Sequence, residues 1–368
     1  MTDAFRFCDE LGPEKIIEIY DPRSGLKAVA VVDNTAVGPS IGGIRMAPDV
    51  TVEECVRLAR AMTLKNAAAG LAHGGGKSVV VGDPGMPTDD RERLLRSFAI
   101  AIEDIGDYIP GPDMGTNEVV MAWIKNEIGR AVGLPREIGG VPPDEIGATA
   151  FGLTVALEVA EEFSELRLDG ARIAVQGFGA VGQHAARFLA ARGARLVAAS
   201  DSGGCCYNAD GIDVHSLIEF KQAGNTVARY AAGESLDRDA LLDVECDVWI
   251  PAARPDVLTA ENVDRLRTRV VAEGANIPAT PEAERRLAER GILVLPDIIA
   301  NAGGVICAAV EFAGGSESLA MATIDEKVRV NMHDVLSTAS AHDKLPRDAA
   351  VDLARARVVE AMSFRRRG

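Results

Sequence analysis

The stretch ARIAVQGFGAVGQHAARFLAARGARLVAAS, residues 171–200, narrows the fold of this chain more than any other. An apolar strand, ARIAVQ, runs straight into Gly177, Gly179 and Gly182. A helix ending near Ala191 then leads to a second apolar strand, RLVAAS. Two such strands with a helix between them lie parallel in one sheet, because a tight turn cannot join parallel neighbours. Each glycine has its own reason. The first makes the tight turn, the second clears space for a diphosphate, and the third lets helix and strand pack closely. The helix start then offers free N–H groups to that diphosphate. This part of the chain therefore reads as a doubly wound α/β sheet with a dinucleotide site.

Asp201 ends the second strand, where its carboxylate can accept hydrogen bonds from the adenosine ribose hydroxyls. No Lys or Arg occurs from Ser202 to Phe220 to offset it, so a 2′-phosphate would face a like charge. NAD is expected over NADP. Further on, VECDVWIPAA, RVVAEGAN and ILVLPDIIANAGGV read as three more buried strands. Ligands lie outside the carboxyl ends of such strands, which brings Ala252, Asn276, Asn301, Gly303 and Gly304 near the cofactor. Asn276 and Asn301 read equally well as turn residues that tolerate a left-handed backbone.

A chain of 368 residues is long enough for a second domain. The Gly- and Pro-rich segment 133–147, GLPREIGGVPPDEIG, is the expected linker. Ahead of it, residues 15–32 read as a hairpin, and apolar spacing predicts a helix from Val52 to Gly70. The sequence MTLKNAAAGLAHGGGK then sets Lys65 at the end of that helix and Lys77 after a turn of three glycines, at the start of a strand. One ammonium could hold a carboxylate, while a second lysine shielded from water could shed its proton and act as a base. An exposed helix and a flexible turn explain the same residues. Asp113 sits in a Pro/Gly loop, and Thr116 and Asn117 can cap the helix that Glu118 begins. A loop carboxylate is otherwise simply solvated.

Net charge of -16 argues against nucleic acid as a partner. No apolar run approaches membrane-spanning length and no charged-then-apolar leader opens the chain, so a cytoplasmic protein with no membrane partner is expected. The six cysteines lack C-x-x-C spacing or a histidine cluster and read as small buried hydrophobes, with no metal expected.

In order along the chain, GPSIGGIRM, MTLKNAAAGLAHGGGKSVV, GPDMGTNEVVMAW, DEIGATAFG, VQGFGAVG, AEGAN and NAGGV resemble the motifs of the glutamate, leucine, phenylalanine and valine dehydrogenase superfamily. The resemblance implies oxidative deamination of an L-amino acid to a 2-oxo acid and ammonia, with a nicotinamide cofactor. It also implies an assembly of identical subunits built from two α/β domains with a cleft between them. The first, residues 1–146, serves substrate binding and oligomerisation and is completed by helices in 330–368. The second, residues 147–329, is a Rossmann-type dinucleotide domain.

Carried over by motif, Lys65 matches the lysine that holds the substrate's α-carboxylate, Lys77 the catalytic lysine and Asp113 the proton-exchanging aspartate. Gly42, Gly43 and Val305 match positions around the substrate. Cofactor contacts are implied for Thr149, Gly177, Phe178, Gly179, Ala180, Val181, Gly182, Asp201, Ser202, Ala252, Ala253, Gly274, Asn276 and Asn301. Glutamate-specific relatives carry a lysine and a serine where this chain has Ile41 and Ala308, and those two groups hold the side-chain carboxylate. Against Ile41 that carboxylate lacks a partner. Gly111 and Ala308 are expected to leave extra volume, so the expected substrate is an apolar amino acid, branched, long aliphatic or aromatic. The alternatives are a glutamate dehydrogenase using another cation such as Arg45, and a dinucleotide-binding protein without turnover.

Overall fold

A computed structural model describes residues 5–365, in two compact units. The first comprises the chain up to Pro142, Val305–Ala320 and the part from Val351 onward; the second comprises Pro143–Gly304 and Met321–Ala350. The ends of the expected domains, residues 1–4 and 366–368, lie outside the described residues.

The first unit carries a five-stranded sheet in the order β1-β2-β4-β3-β5. Its strands are β1 (Lys15–Asp21), β2 (Leu26–Asn34), β3 (Ser40–Ala47), β4 (Gly74–Val81) and β5 (Tyr108–Pro112). The expected hairpin is the antiparallel pair β1–β2, while β4, β3 and β5 run parallel. Strand β2 is apolar from Ala28 to Val32 because both faces are covered there. Val29 and Val31 pack with Cys55, Val56 and Ala59 of helix α1 (Val52–Ala68). Ala28, Ala30 and Val32 face the other way, into a core with Leu95 and Phe98 of α2 (Thr88–Ala101) and Met121 and Ile124 of α3 (Glu118–Ile128). The Thr51 hydroxyl caps α1 by accepting from the Glu54 N–H at 3.1 Å, and the Asn117 amide oxygen caps α3 by accepting from the Val120 N–H at 3.2 Å.

The second unit carries a seven-stranded sheet in the order β12-β11-β10-β6-β7-β8-β9. Its strands are β6 (Arg172–Gln176), β7 (Arg195–Asp201), β8 (Gly204–Tyr207), β9 (Glu234–Leu236), β10 (Val248–Pro251), β11 (Val270–Ala272) and β12 (Leu293–Leu295). The run from β12 to β7 is parallel, and β8 and β9 are antiparallel. Strand order reverses between β6 and β10, the point where doubly wound sheets open a crevice at their carboxyl ends. The helices are α4 (Pro143–Ile146), α5 (Ala148–Phe163), α6 (Ala180–Ala190), α7 (Val214–Gln222), α8 (Pro281–Glu289) and α9 (Asp297–Ala300).

Helices α10 (Gly303–Phe312), α11 (Glu317–His342) and α12 (Pro346–Ser363) each carry the chain from one unit to the other. The part of the chain from α10 onward is thus divided more finely than a single C-terminal block returning to the first domain. Helical periodicity marks an apolar stripe but not which core covers it. At the start of α12, Arg347 enters the second unit's core and pairs with Glu273, Glu284 and Asp297 at 2.6, 2.5 and 2.7 Å. Among the described residues, no helix is long and apolar enough to cross a membrane.

Candidate active site

In the first unit, four charged side chains from different elements meet. Lys77 lies within β4 with its side chain only 7% exposed, and its ammonium is 2.6 Å from Asp113 Oδ2, just past the end of β5. Arg45 of β3 places Nε 3.0 Å from the same oxygen and Nη1 2.5 Å from Glu54 Oε1, in the first turn of α1. Burial pushes the Asp113 carboxyl up, but Lys77 and then Arg45 outweigh it and hold the group below its ordinary range. Burial likewise opposes the charge on Arg45, and Asp113 with Glu54 more than restores it. The Thr116 hydroxyl accepts from the Asp113 N–H at 2.9 Å and lies 2.8 Å from the Ile44 carbonyl, which ties the aspartate's backbone to β3.

The three glycines before Lys77 form the start of β4 and not the turn that their flexibility suggests. A Cβ on Gly74 would lie 1.8 Å from the Asn34 carbonyl oxygen, and one on Gly75 would lie 2.0 Å from the Thr63 nitrogen. Close backbone approach, not turning, is why glycine stands here. Gly42 meets the same constraint, with its Cβ position 1.6 Å from the Gly76 carbonyl oxygen. Gly43 borders the charged pair: its Cβ position is 2.7 Å from Asp113 Cβ and 3.3 Å from Lys77 Nζ. Lys65 is half-buried in the last turn of α1, which Asn66 fastens to β4 by donating to the Gly74 carbonyl at 2.7 Å.

Ile41, Ile109 and Val132 form a buried apolar cluster against which Ala308 packs. Val305 lies half-buried one turn earlier on α10. The room expected at Gly111 is taken up, since Val132 Cγ2 sits 3.1 Å from where a Cβ would be. One turn beyond Ala308, buried Glu311 accepts from the Leu134 and Val141 N–H groups at 3.1 and 2.9 Å. It thereby anchors the segment after Val132, much of which reads from sequence as a free linker. Sequence reasoning missed Glu54, Val132 and Glu311. Glu54 is one of two acids in the first turn of α1, and nothing local distinguishes it.

In the second unit the expected cofactor residues gather at the carboxyl ends of β6, β10 and β11. Gly177 has φ +94°, and a Cβ on it would lie 2.6 Å from Ala253 Cβ; one on Gly182 would lie 2.1 Å from the Gly177 carbonyl oxygen. Gly179 faces open space, with nothing within 4 Å of its Cβ position. It caps α6 without any side-chain hydrogen bond, leaving the first-turn N–H groups of Ala180 and Val181 available to a ligand. Phe178 is buried beneath this turn. A Cβ on Gly274 would lie 3.3 Å from Val181 Cγ1 and 3.5 Å from Ala252 Cβ. The Asn301 amide donates to the Ala275 carbonyl at 3.1 Å and to Asn276 Oδ1 at 3.0 Å. Thr149 lies beside Gly304, its hydroxyl 3.2 Å from the Cβ position there. A glycine-lined cradle, open at Gly179 and backed by unused helix N–H groups, fits a dinucleotide diphosphate.

Asp201 departs from the sequence expectation. Its side chain is only 7% exposed, and its Oδ2 accepts from the Lys221 ammonium and, at 3.0 Å, from the Val227 N–H, while Oδ1 accepts from the Gly203 N–H at 2.8 Å. Burial raises its pKa, and the Lys221 bond and two N–H donors more than reverse that. The window up to Phe220 does lack a cation. The neutralising charge comes from the next residue, which α7 folds back onto the end of β7.

Comparison with known proteins gives the same picture. Residues 13–130 match the Glu/Leu/Phe/Val dehydrogenase dimerisation domain, and residues 139–366 match the Glutamate/Leucine/Phenylalanine/Valine dehydrogenase model. Glutamate dehydrogenase from Aeropyrum pernix is 38% identical over 355 residues, covering 90% of this chain and 85% of that one. Other relatives are named NAD-specific or NADP-specific glutamate dehydrogenases. The hetero-hexameric glutamate dehydrogenase from Thermus thermophilus, in a leucine-bound form, superposes with a TM-score of 0.84 at 29% identity over 96% of this chain and 90% of its own. L-tryptophan dehydrogenase from Nostoc punctiforme gives 0.76 at 25% identity over 96% and 98%. With two family models that together match most of the chain and a relative this similar across most of its length, the chain belongs to the glutamate/leucine/phenylalanine/valine dehydrogenase family, the amino acid dehydrogenases that act on CH–NH2 donors.

Proposed function

We propose that the protein catalyses the reversible oxidative deamination of an apolar L-amino acid to its 2-oxo acid and ammonia, as an assembly of identical subunits. The observation that carries the substrate class is the apolar cluster of Ile41, Ile109 and Val132 with Ala308. A substrate carboxylate buried there without a cation costs about 3 kcal/mol or more, which is over a hundredfold in selectivity. The character of the cluster supports this reading, not its size, since Val132 occupies the space beside Gly111.

Lys65 holds the α-carboxylate as its counter-charge. Gly43, beside Asp113 and Lys77, keeps side-chain bulk away from the reacting carbon, and Gly42 lets β3 approach β4 closely there. When bound, the dinucleotide supplies the hydride acceptor. Once the α-carbon has given up its hydride and become the iminium carbon, Lys77 takes the proton of the water that adds to it and then faces the developing oxyanion as an ammonium. Asp113, a carboxylate in direct contact with Lys77 at 2.6 Å, takes a proton from the substrate's amino group and returns it as ammonia departs. Lys77 stands within β4, and Asp113 directly follows β5, where Thr116 ties its backbone to β3, so the sheet fixes their spacing.

The names of the relatives favour glutamate as substrate. In that reading Arg45 would hold the distal carboxylate, but its guanidinium is already divided between Asp113 and Glu54. Initial rates with leucine, phenylalanine, tryptophan and glutamate decide the matter. An apolar substrate should lead by at least a hundredfold, and a wide lead for glutamate reverses the pocket argument. As for the cofactor, Asp201 alone would favour NAD, but Lys221 on the same carboxylate removes the like-charge penalty behind that preference.

A further inference from the structure

We infer that the cavity at the end of β7 is built to take a phosphate on the adenosine ribose, so that the protein prefers NADP to NAD. The inference rests on the dinucleotide reading of the second unit and deepens it. A cavity of about 340 Å³ extends from the glycine turn at Gly177 and Gly179 past Asp201 and Ser202 to Lys221, Arg238 and Arg254. Three cations and one carboxylate thus line it, a local balance of +2 in a chain whose net charge is -16.

The carboxylate is already committed. Both oxygens of Asp201 accept from the protein itself, through Gly203, Val227 and Lys221, and the side chain is almost wholly covered. It acts as a positioning residue that fixes the turn after β7 and the end of α7, and it offers a ribose diol little acceptor capacity. The two arginines are spare. Arg254 is exposed, and among the described residues Arg238 makes only a long, exposed contact of 3.4 Å with Asp239. Arginine beside the ribose is the usual partner for a 2′-phosphate, because its planar fork matches phosphate oxygens two at a time. A 2′-phosphate would bring two negative charges to a cavity with two uncompensated positive ones, whereas a 2′-hydroxyl would leave both unmatched.

Calorimetric titration of the purified protein with 2′,5′-ADP and with 5′-AMP reads this directly, without turnover. The 2′-phosphate should tighten binding at least tenfold, and the double variant Arg238→Ala/Arg254→Ala should erase most of that gain while leaving 5′-AMP binding within about threefold. Both arginines are partly exposed, so the variant should remain folded, and its melting temperature checks that. Equal or tighter binding of 5′-AMP overturns the inference and leaves the dinucleotide site standing. Failure of both nucleotides to bind overturns the dinucleotide reading of this unit as well.

Discussion

Arg45 shows how much of the site's chemistry lies in a side chain that its motif makes visible but whose partners it does not. The sequence offers it as a possible anchor for a distal carboxylate; the structure sets it on Asp113 and Glu54 instead. Replacing it by glutamine removes one of the two cations that hold the Asp113 carboxyl down, so that group should titrate at higher pH. If Asp113 works as a carboxylate, the acidic limb of the kcat/KM profile should move upward in the variant. Activity on the acidic side should fall roughly tenfold and recover as pH rises. A limb that stays in place would show that Arg45 does not tune Asp113. Lys77 and Asp113 were legible as residue types in sequence, since their chemistry is intrinsic. Glu54 and Val132 were not, because an ordinary acid and an ordinary valine acquire a role only through what folds against them.

At the scale of elements, β4 is the clearest case of a rule overridden. Three consecutive glycines weaken a strand by propensity, yet β4 needs them because α1 and the neighbouring strands press against its backbone. Gly75→Ala would drive a methyl group to within 2.0 Å of the Thr63 nitrogen, so α1 must shift off the sheet. The expected loss is about 2–3 kcal/mol, read as a lowered denaturation midpoint, with Gly25→Ala, whose Cβ position is in open space but at positive φ, losing less. Equal losses would mean that α1 yields to the added methyl group without the expected cost. The β1–β2 hairpin and the capped start of α3 needed no such correction, since turn and capping signals are local properties.

For the molecule as a whole, the buried cluster around Arg347 joins residues far apart in the chain: Glu273 beyond β11, Glu284 in α8, Asp297 in α9 and Arg347 in α12. Three carboxylates share one guanidinium, and Glu273 Oε1 has no hydrogen-bond partner among the described residues. Burial raises the Glu273 pKa from 4.5 to about 8, with Arg347 opposing and Asp297 and Glu284 adding to it. Folded protein therefore holds a proton that the unfolded chain releases near pH 4.5. Its contribution to stability is full below that pH and is lost as pH rises to about 8, by up to roughly 1.4 kcal/mol per pH unit. Melting temperatures of the wild type and Glu273→Gln across this window should converge or cross as pH rises, the variant declining less; parallel curves would sink the assignment. By itself the sequence determined the glycine turn, the β1–β2 hairpin and the capped start of α3, because φ freedom, turn signals and capping act over a few residues, while the resemblance of its motifs pointed to Lys77 and Asp113. Only the tertiary structure decided which core each C-terminal helix covers, that Lys221 rests on Asp201, that Val132 takes up the space beside Gly111, and that Arg45 serves Asp113. Those outcomes depend on which surfaces meet when segments distant in the chain pack together, and no local pattern carries that information.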